Sequence, residues 1–133
     1  MNPITYTIPL NPITWKRAGI ARGTTFYDTQ AKEKLAVGLH LVNQHGSRAK
    51  FIGPLRLSVI FYMKLPKSIK DRNLGGSKYC YKTPDLDNLY KFLADAINDT
   101  DTIWEDDKQV AHIIAEKIYD TDPRTLITIE ELA

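Results

Sequence analysis

The stretch Pro84-Asp85-Leu86-Asp87-Asn88-Leu89-Tyr90-Lys91-Phe92-Leu93-Ala94-Asp95-Ala96-Ile97-Asn98, with its continuation Ile103-Trp104-Glu105-Asp106-Asp107-Lys108-Gln109-Val110, decides how this chain is read. Leu86, Leu89, Leu93, Ala96 and Ile97 recur at helical spacing, which predicts a helix over residues 85–98 with one apolar side. Residues 99–105 read as a turn, and a strand follows over 109–119. Residues 84–110 carry eight of the chain's sixteen acidic residues and only two lysines. Such carboxylates repel one another unless a cation or a proton relieves them. Hard divalent ions take oxygen ligands, usually one or two carboxylates with waters and substrate phosphates.

Charge is divided along the chain. Residues 1–84 hold fourteen Lys/Arg against three Asp/Glu, a balance of +11. Residues 85–133 hold four against thirteen, a balance of −9, so a net charge of +2 conceals two opposed halves. Lysines and arginines suit phosphate, whereas the acids need a cation before phosphate can approach. An acidic pocket in a basic protein is what a metal-dependent phosphodiesterase acting on nucleic acid requires.

Outward from the acidic stretch, Ile4, Tyr6, Ile8 and Leu10 alternate with polar neighbours and predict a first strand. Residues 11–27 read as a loop bearing Trp15, Lys16, Arg17 and Arg22. Asp28 reads as the N-cap of a helix over 29–44, with Leu35, Leu39 and Val42 as its apolar face and Gly46 as its stop. Gly38 weakens that helix. Leu55, Leu57, Val59, Phe61 and Met63 alternate as a strand over 55–63, and Ile60 and Tyr62 imply partial cover on its other face. A loop over 64–83 carries six Lys/Arg and one Asp. The last strand is expected over 125–130, joined to its predecessor by a hairpin turn at Asp122 and Pro123. The order β-α-β-α-β-β predicts one α+β domain over residues 1–133, with a mixed or antiparallel sheet and helices packed on it.

Cys80 stands alone, which excludes an intrachain disulfide and a multi-cysteine zinc site and fits a cytoplasmic location. No run reaches the length of a membrane span, and the first residues lack a secretory signal pattern.

The acids admit two readings. Asp85 can be an N-cap and Asp87 a favourable first-turn charge. Alternatively, the non-helical backbone at the helix start lets both converge on a metal ion. Lys91, four residues after Asp87, is either a surface salt-bridge partner or a lysine that reaches a scissile phosphate. An acidic turn at Asp106 and Asp107 is ordinarily just solvated.

The wording of the two segments resembles the RusA family of Holliday junction resolvases, with their D-L-D-N-x-x-K helix start and downstream W-x-D-D-x-Q-V turn. The likeness is detailed over residues 84–110 and looser elsewhere. It implies a homodimeric endonuclease, Mg²⁺-dependent with Mn²⁺ able to substitute, that cuts four-way DNA junctions symmetrically and is commonly encoded by phages and prophages. It implies that Asp85, Asp87 and Asp107 are the essential acids and metal ligands and that Lys91 is the essential lysine. Asp106 matches a less critical position, and Asp95 is expected to be structural. DNA contact would fall to Lys16, Arg17 and Arg22, and to Lys64, Lys67, Lys70, Arg72, Lys78 and Lys82, with Trp15, Tyr79 and Tyr81 available for stacking on unpaired bases. His112 is expected to be structural, and Cys80 is not expected to be a nucleophile. A non-cleaving branched-DNA binding module and a general flap or single-strand nuclease are the competing readings.

Overall fold

The computed structural model describes residues 3–17, 19–21, 25–66 and 78–133. A four-stranded sheet carries two helices. The strands are β1 (Ile4–Ile8), β4 (Leu55–Lys64), β5 (Val110–Asp120) and β6 (Arg124–Glu131), in the order β1-β6-β4-β5. The helices are α1 (Ala31–His45) and α2 (Leu86–Thr100). β4 runs parallel to β5 and antiparallel to β6, and β1 runs antiparallel to β6, so the sheet is mixed and the fold is α+β.

Strand β4 organises the core. Leu55, Leu57, Val59 and Phe61 are all buried, while Ile60 and Tyr62 are half-buried. The alternation puts one face under the helices, as the sequence pattern predicts. Each such side chain contributes about 1.5–3 kcal/mol by leaving water. Val59 lies beside Ile127, which lies beside Tyr6, so one rung of buried side chains crosses three strands. On α2, Leu89, Phe92, Leu93, Ala94, Ala96 and Ile97 are buried against this core.

Four expectations are corrected. Within residues 11–27 the chain forms a small antiparallel hairpin, β2 (Gly19–Ala21) with β3 (Thr25–Tyr27), not a plain loop. The first helix begins at Ala31, and Gln30 occupies its N-cap position. Asp28 lies before the helix, where its carboxylate accepts from the Gln30 N–H at 2.9 Å and from Lys34 Nζ at 2.9 Å. The buried face of α1 is Val37, Gly38, Leu41 and His45, whereas Leu35 and Leu39 are 65% and 55% exposed. The face is set by His45, which the core accepts because both ring nitrogens are engaged: Tyr6 Oη stands 2.7 Å from Nδ1 and the Ala49 carbonyl 3.0 Å from Nε2. Lastly, β5 and β6 do not form a hairpin. The turn between them crosses the end of β4, which pairs with both.

Gly38, which costs the helix propensity, is explained by packing: a Cβ there would meet Thr100 Cγ2 at 3.2 Å, so the glycine lets α1 and α2 approach. Gly46 ends α1 with a left-handed φ of 64°. Among the described residues no helix is long and apolar enough to cross a membrane.

The Tyr6–His45 bond generates a stability prediction. Burial raises the Tyr6 hydroxyl to about 12, with the Arg48 charge pulling the other way. Tyr6→Phe leaves a buried imidazole nitrogen without its partner and should cost about 1–3 kcal/mol in urea unfolding at neutral pH. A tyrosine held neutral in the fold contributes stability that is complete below its unfolded pKa near 10 and lost as pH rises toward about 12. The gap between parent and variant should therefore narrow over that alkaline window. A constant gap would show that the hydroxyl is not held neutral.

Candidate active site on helix α2

The approach to α2 is pinned before the helix begins. Lys117 of β5 donates from Nζ to the carbonyls of Lys82 and Pro84, each at 2.7 Å. The backbone of residues 78–80 lies along β5, with the Cys80 N–H on the Lys117 carbonyl at 2.9 Å and the Tyr119 N–H on the Lys78 carbonyl at 2.9 Å. Asp85 then takes the N-cap position with extended backbone (φ −67°, ψ 142°), and its carbonyl accepts the Leu89 N–H. Its carboxylate makes no capping bond. The side chain is exposed, as is that of Asp87 two residues on. Asp85 thus occupies the N-cap and Asp87 the first turn, as the structural reading has it, but the Asp85 carboxylate is not spent on capping.

Downstream, the turn around Asp106 and Asp107 is built by hydrogen bonds that single out one aspartate. Trp104 is fully buried and its indole N–H donates to Asn98 Oδ1 at 2.6 Å. Asp106 caps the short 3-10 turn Asp107–Gln109, accepting the Lys108 N–H at 2.8 Å. The Gln109 side chain works at both ends. Its oxygen accepts the N–H groups of Glu105 and Asp106 at 2.8 and 3.2 Å, and its nitrogen donates to the carbonyls of Phe51 and Gly53 at 3.2 and 3.1 Å. Asp107 is left: among the described residues its carboxylate has no hydrogen bond and no ion pair. Asp106 holds the turn and Asp107 is what the turn presents.

The Asp107 charge is felt in the middle of α2. Burial raises the Tyr90 hydroxyl to about 12, and the Asp107 charge adds to that rise. Burial likewise pushes the Asp95 carboxyl above the usual range, with Asp107 and Asp99 adding to the rise and Lys34 and Lys91 opposing it. Asp87, Lys91 and Asp95 are successive turns of one helical stripe. Asp95, expected to be structural, thus belongs electrostatically to the same cluster. Lys34 of α1, whose Nζ is paired with Asp28 at 2.9 Å, adds a positive charge to this neighbourhood that spacing along the chain cannot reveal. The structure does not gather Asp85, Asp87 and Asp107 into a ready cage: among the described residues, no group of three or more acidic, histidine or cysteine side chains is spaced to hold a metal ion.

Of the two readings of Lys91, the salt bridge to Asp87 does not form among the described residues. The Lys91 Nζ lies 3.6 Å from the centroid of the Trp15 ring. The sequence offers Trp15 for base stacking; in the fold, Lys91 covers one face of it.

The basic residues fall into two groups. Lys16 and Arg17 are exposed just before β2, and Lys64, Lys78 and Lys82 are exposed near the start of α2. Lys64 and Lys82 line a shallow cleft with Asn11, Thr83 and Tyr119. Arg22, Lys67, Lys70 and Arg72 lie outside the described residues. Tyr79 and Tyr81 are exposed, and Lys78 Nζ stands 5.5 Å from the Tyr79 ring centroid. His112 is exposed on β5, and its Nδ1 accepts from Arg56 Nε at 3.0 Å.

The described site thus joins an Asp87–Lys91–Asp95 helix stripe and the Asp107 turn on a mixed α+β sheet, with exposed lysines elsewhere on the surface. The family described as Endodeoxyribonuclease RusA matches residues 9–130, nearly the whole length, and the chain belongs to it. The family comprises nucleases, generally divalent-metal dependent, that act on branched DNA. Among curated proteins, the chain is similar to YqaN of Bacillus subtilis (strain 168), described as uncharacterized, with 29% identity over 144 residues covering 100% of this chain and 99% of the relative.

Proposed function

We propose that the chain is a Mg²⁺-dependent Holliday junction resolvase that hydrolyses phosphodiester bonds symmetrically at four-way DNA junctions, with Mn²⁺ able to substitute. The observation that carries this reading is the Asp107 turn. Asp106 and Gln109 are spent on holding the turn, while the Asp107 carboxylate is bonded to none of the described residues and its charge is felt at Tyr90 and Asp95 on α2. Keeping a carboxylate solvated beside other carboxylates has no stabilising use in the empty protein.

In this reading Asp85, Asp87 and Asp107 hold the ion. Their chemistry fits: they supply oxygen alone, and among the described residues none is committed to an ion pair. A hard divalent ion of this kind needs only one or two carboxylates, its other ligands being waters and substrate phosphate oxygens. When bound, the ion supplies an activated water and neutralises charge on the departing oxygen. Lys91 places an ammonium beside the developing negative charge on the phosphate. Lys16, Arg17, Arg22, Lys64, Lys67, Lys70, Arg72, Lys78 and Lys82 position the DNA backbone.

The reading includes a cytoplasmic, phage- or prophage-encoded enzyme acting as a homodimer, since two symmetric cuts need two sites. We place the pairing surface on the outer edge of β5. Among the described residues, residues 111–115 have no strand on that side, and Ile113 and Ile114 are exposed there. An unpaired edge with apolar side chains is a template for a second copy.

Three outcomes are expected. Asp87→Asn and Asp107→Asn should each reduce Mg²⁺-dependent cutting of a synthetic four-way junction by at least about 100-fold, while binding in Ca²⁺ is kept or tightened. Parent-like cutting by both variants would remove the proposed site, and equal cutting of flap or linear duplex controls would favour a general nuclease. Neutralising Lys64, Lys78 and Lys82 together should flatten the slope of log affinity against log salt by roughly 0.9 for each phosphate no longer neutralised. An unchanged slope would move DNA contact to Lys16 and Arg17. In sedimentation velocity, Ile114→Glu should yield monomer while Leu35→Glu leaves the dimer intact; the reverse would assign pairing to α1.

A further inference from the structure

We propose that Trp15 is a positioning residue: its ring holds the Lys91 ammonium in place and keeps it off the carboxylates on either side. The inference rests on Lys91 being the cation of the site.

Lys91 has a carboxylate one turn away in each direction, Asp87 and Asp95. Both spacings allow a helical ion pair. Neither pair forms among the described residues, and Nζ sits instead 3.6 Å from the Trp15 ring centroid. A cation within about 6 Å of a ring face is attracted by the ring's quadrupole, and tryptophan attracts it best.

The ring is delivered by a fixed backbone. The Trp15 N–H donates to the Asn88 carbonyl of α2 at 3.1 Å. On either side, the side chain of Gln30, only 1% exposed, donates to the Thr14 carbonyl at 2.9 Å and accepts the Lys16 N–H at 2.9 Å. Three successive residues are therefore tied to the two helices, and the ring itself packs against the core.

The chemical distinction between ring and carboxylate is what matters. An ion pair with Asp87 would consume N–H donors of Lys91 and neutralise a carboxylate meant for a cation. An indole face restrains the ammonium without consuming either. The N–H groups pointing away from the ring stay available to a phosphate oxygen, and Asp87 keeps its charge. A long, flexible lysine is thus held ready, which is how a charged group contributes most to a transition state.

The first test needs no metal and no DNA. In protein with ¹³C-labelled lysine, the Lys91 ε-CH₂ protons should show a ring-current shift that Trp15→Leu abolishes and Trp15→Phe partly retains. The second test is single-turnover cutting of a four-way junction at saturating Mg²⁺, with affinity measured in Ca²⁺. Trp15→Leu should slow cutting roughly tenfold with little change in affinity, and Trp15→Phe should recover much of the rate. In a Lys91→Met background, Trp15→Leu should cause no further loss. A parent spectrum without a shifted Lys91 signal, or a Trp15→Leu variant that loses affinity and not rate, would overturn the inference. If Lys91→Met is slow but Trp15→Leu is as fast as the parent, the positioning role falls and the nuclease reading stands. If Lys91→Met cuts at the parent rate, the reading of Lys91 fails, and the inference with it.

Discussion

Strand β4 imposes the constraint on which the other elements depend. It has a strand on each side, antiparallel β6 and parallel β5. A parallel neighbour cannot be reached by a tight turn; the chain must cross over the sheet with a dozen residues or more. Helix α2 is that crossover, and the buried residues of β4 hold it down. Both acidic segments sit at its margins for this reason. Asp85 and Asp87 lie where the crossover begins and Asp107 where it returns into β5.

The same constraint explains why the margins are so heavily bonded. A crossover joined by loose ends would let its two acidic segments drift separately. Lys117 ties the incoming end to β5, Trp104 and Asn98 tie the outgoing end to α2, and Gln109 ties it to the segment before β4. Among the described residues no buried side-chain nitrogen or oxygen lacks a hydrogen-bond partner. Among the described residues, the carboxylates of the exposed Asp85 and Asp87 and of the partly exposed Asp107 make no hydrogen bond or ion pair.

Much of this is legible in the sequence where a pattern is local. The alternation of β4 and the helical spacing of α2 are strong because each element buries one side against the same core. Helix α1 is misread from its sequence because Leu35 and Leu39 outweigh His45 on any hydrophobicity reckoning. Only the Tyr6 hydroxyl and the Ala49 carbonyl, remote in the chain or beyond the helix end, make His45 a core residue. The order of strands is not legible either, since a short turn with Asp122 and Pro123 reads the same whether its strands pair or straddle a third. At the site, the motif marks Asp85, Asp87, Lys91 and Asp107. The division of labour between Asp106 and Asp107, and the place of Lys91 on Trp15, depend on contacts that no spacing encodes.

The Gln109 amide also bears on which sequences this turn can accept. Its oxygen meets two N–H groups and its nitrogen meets two carbonyls. Glutamate has the same shape and lies one base change away in the genetic code, yet it would turn the donor end into a second acceptor facing two carbonyl oxygens. Lysine would fail at the other end. The position is therefore closed to both of these charged replacements. The glutamine is held there by the need for opposite polarity at its two ends, although it need touch neither metal nor DNA.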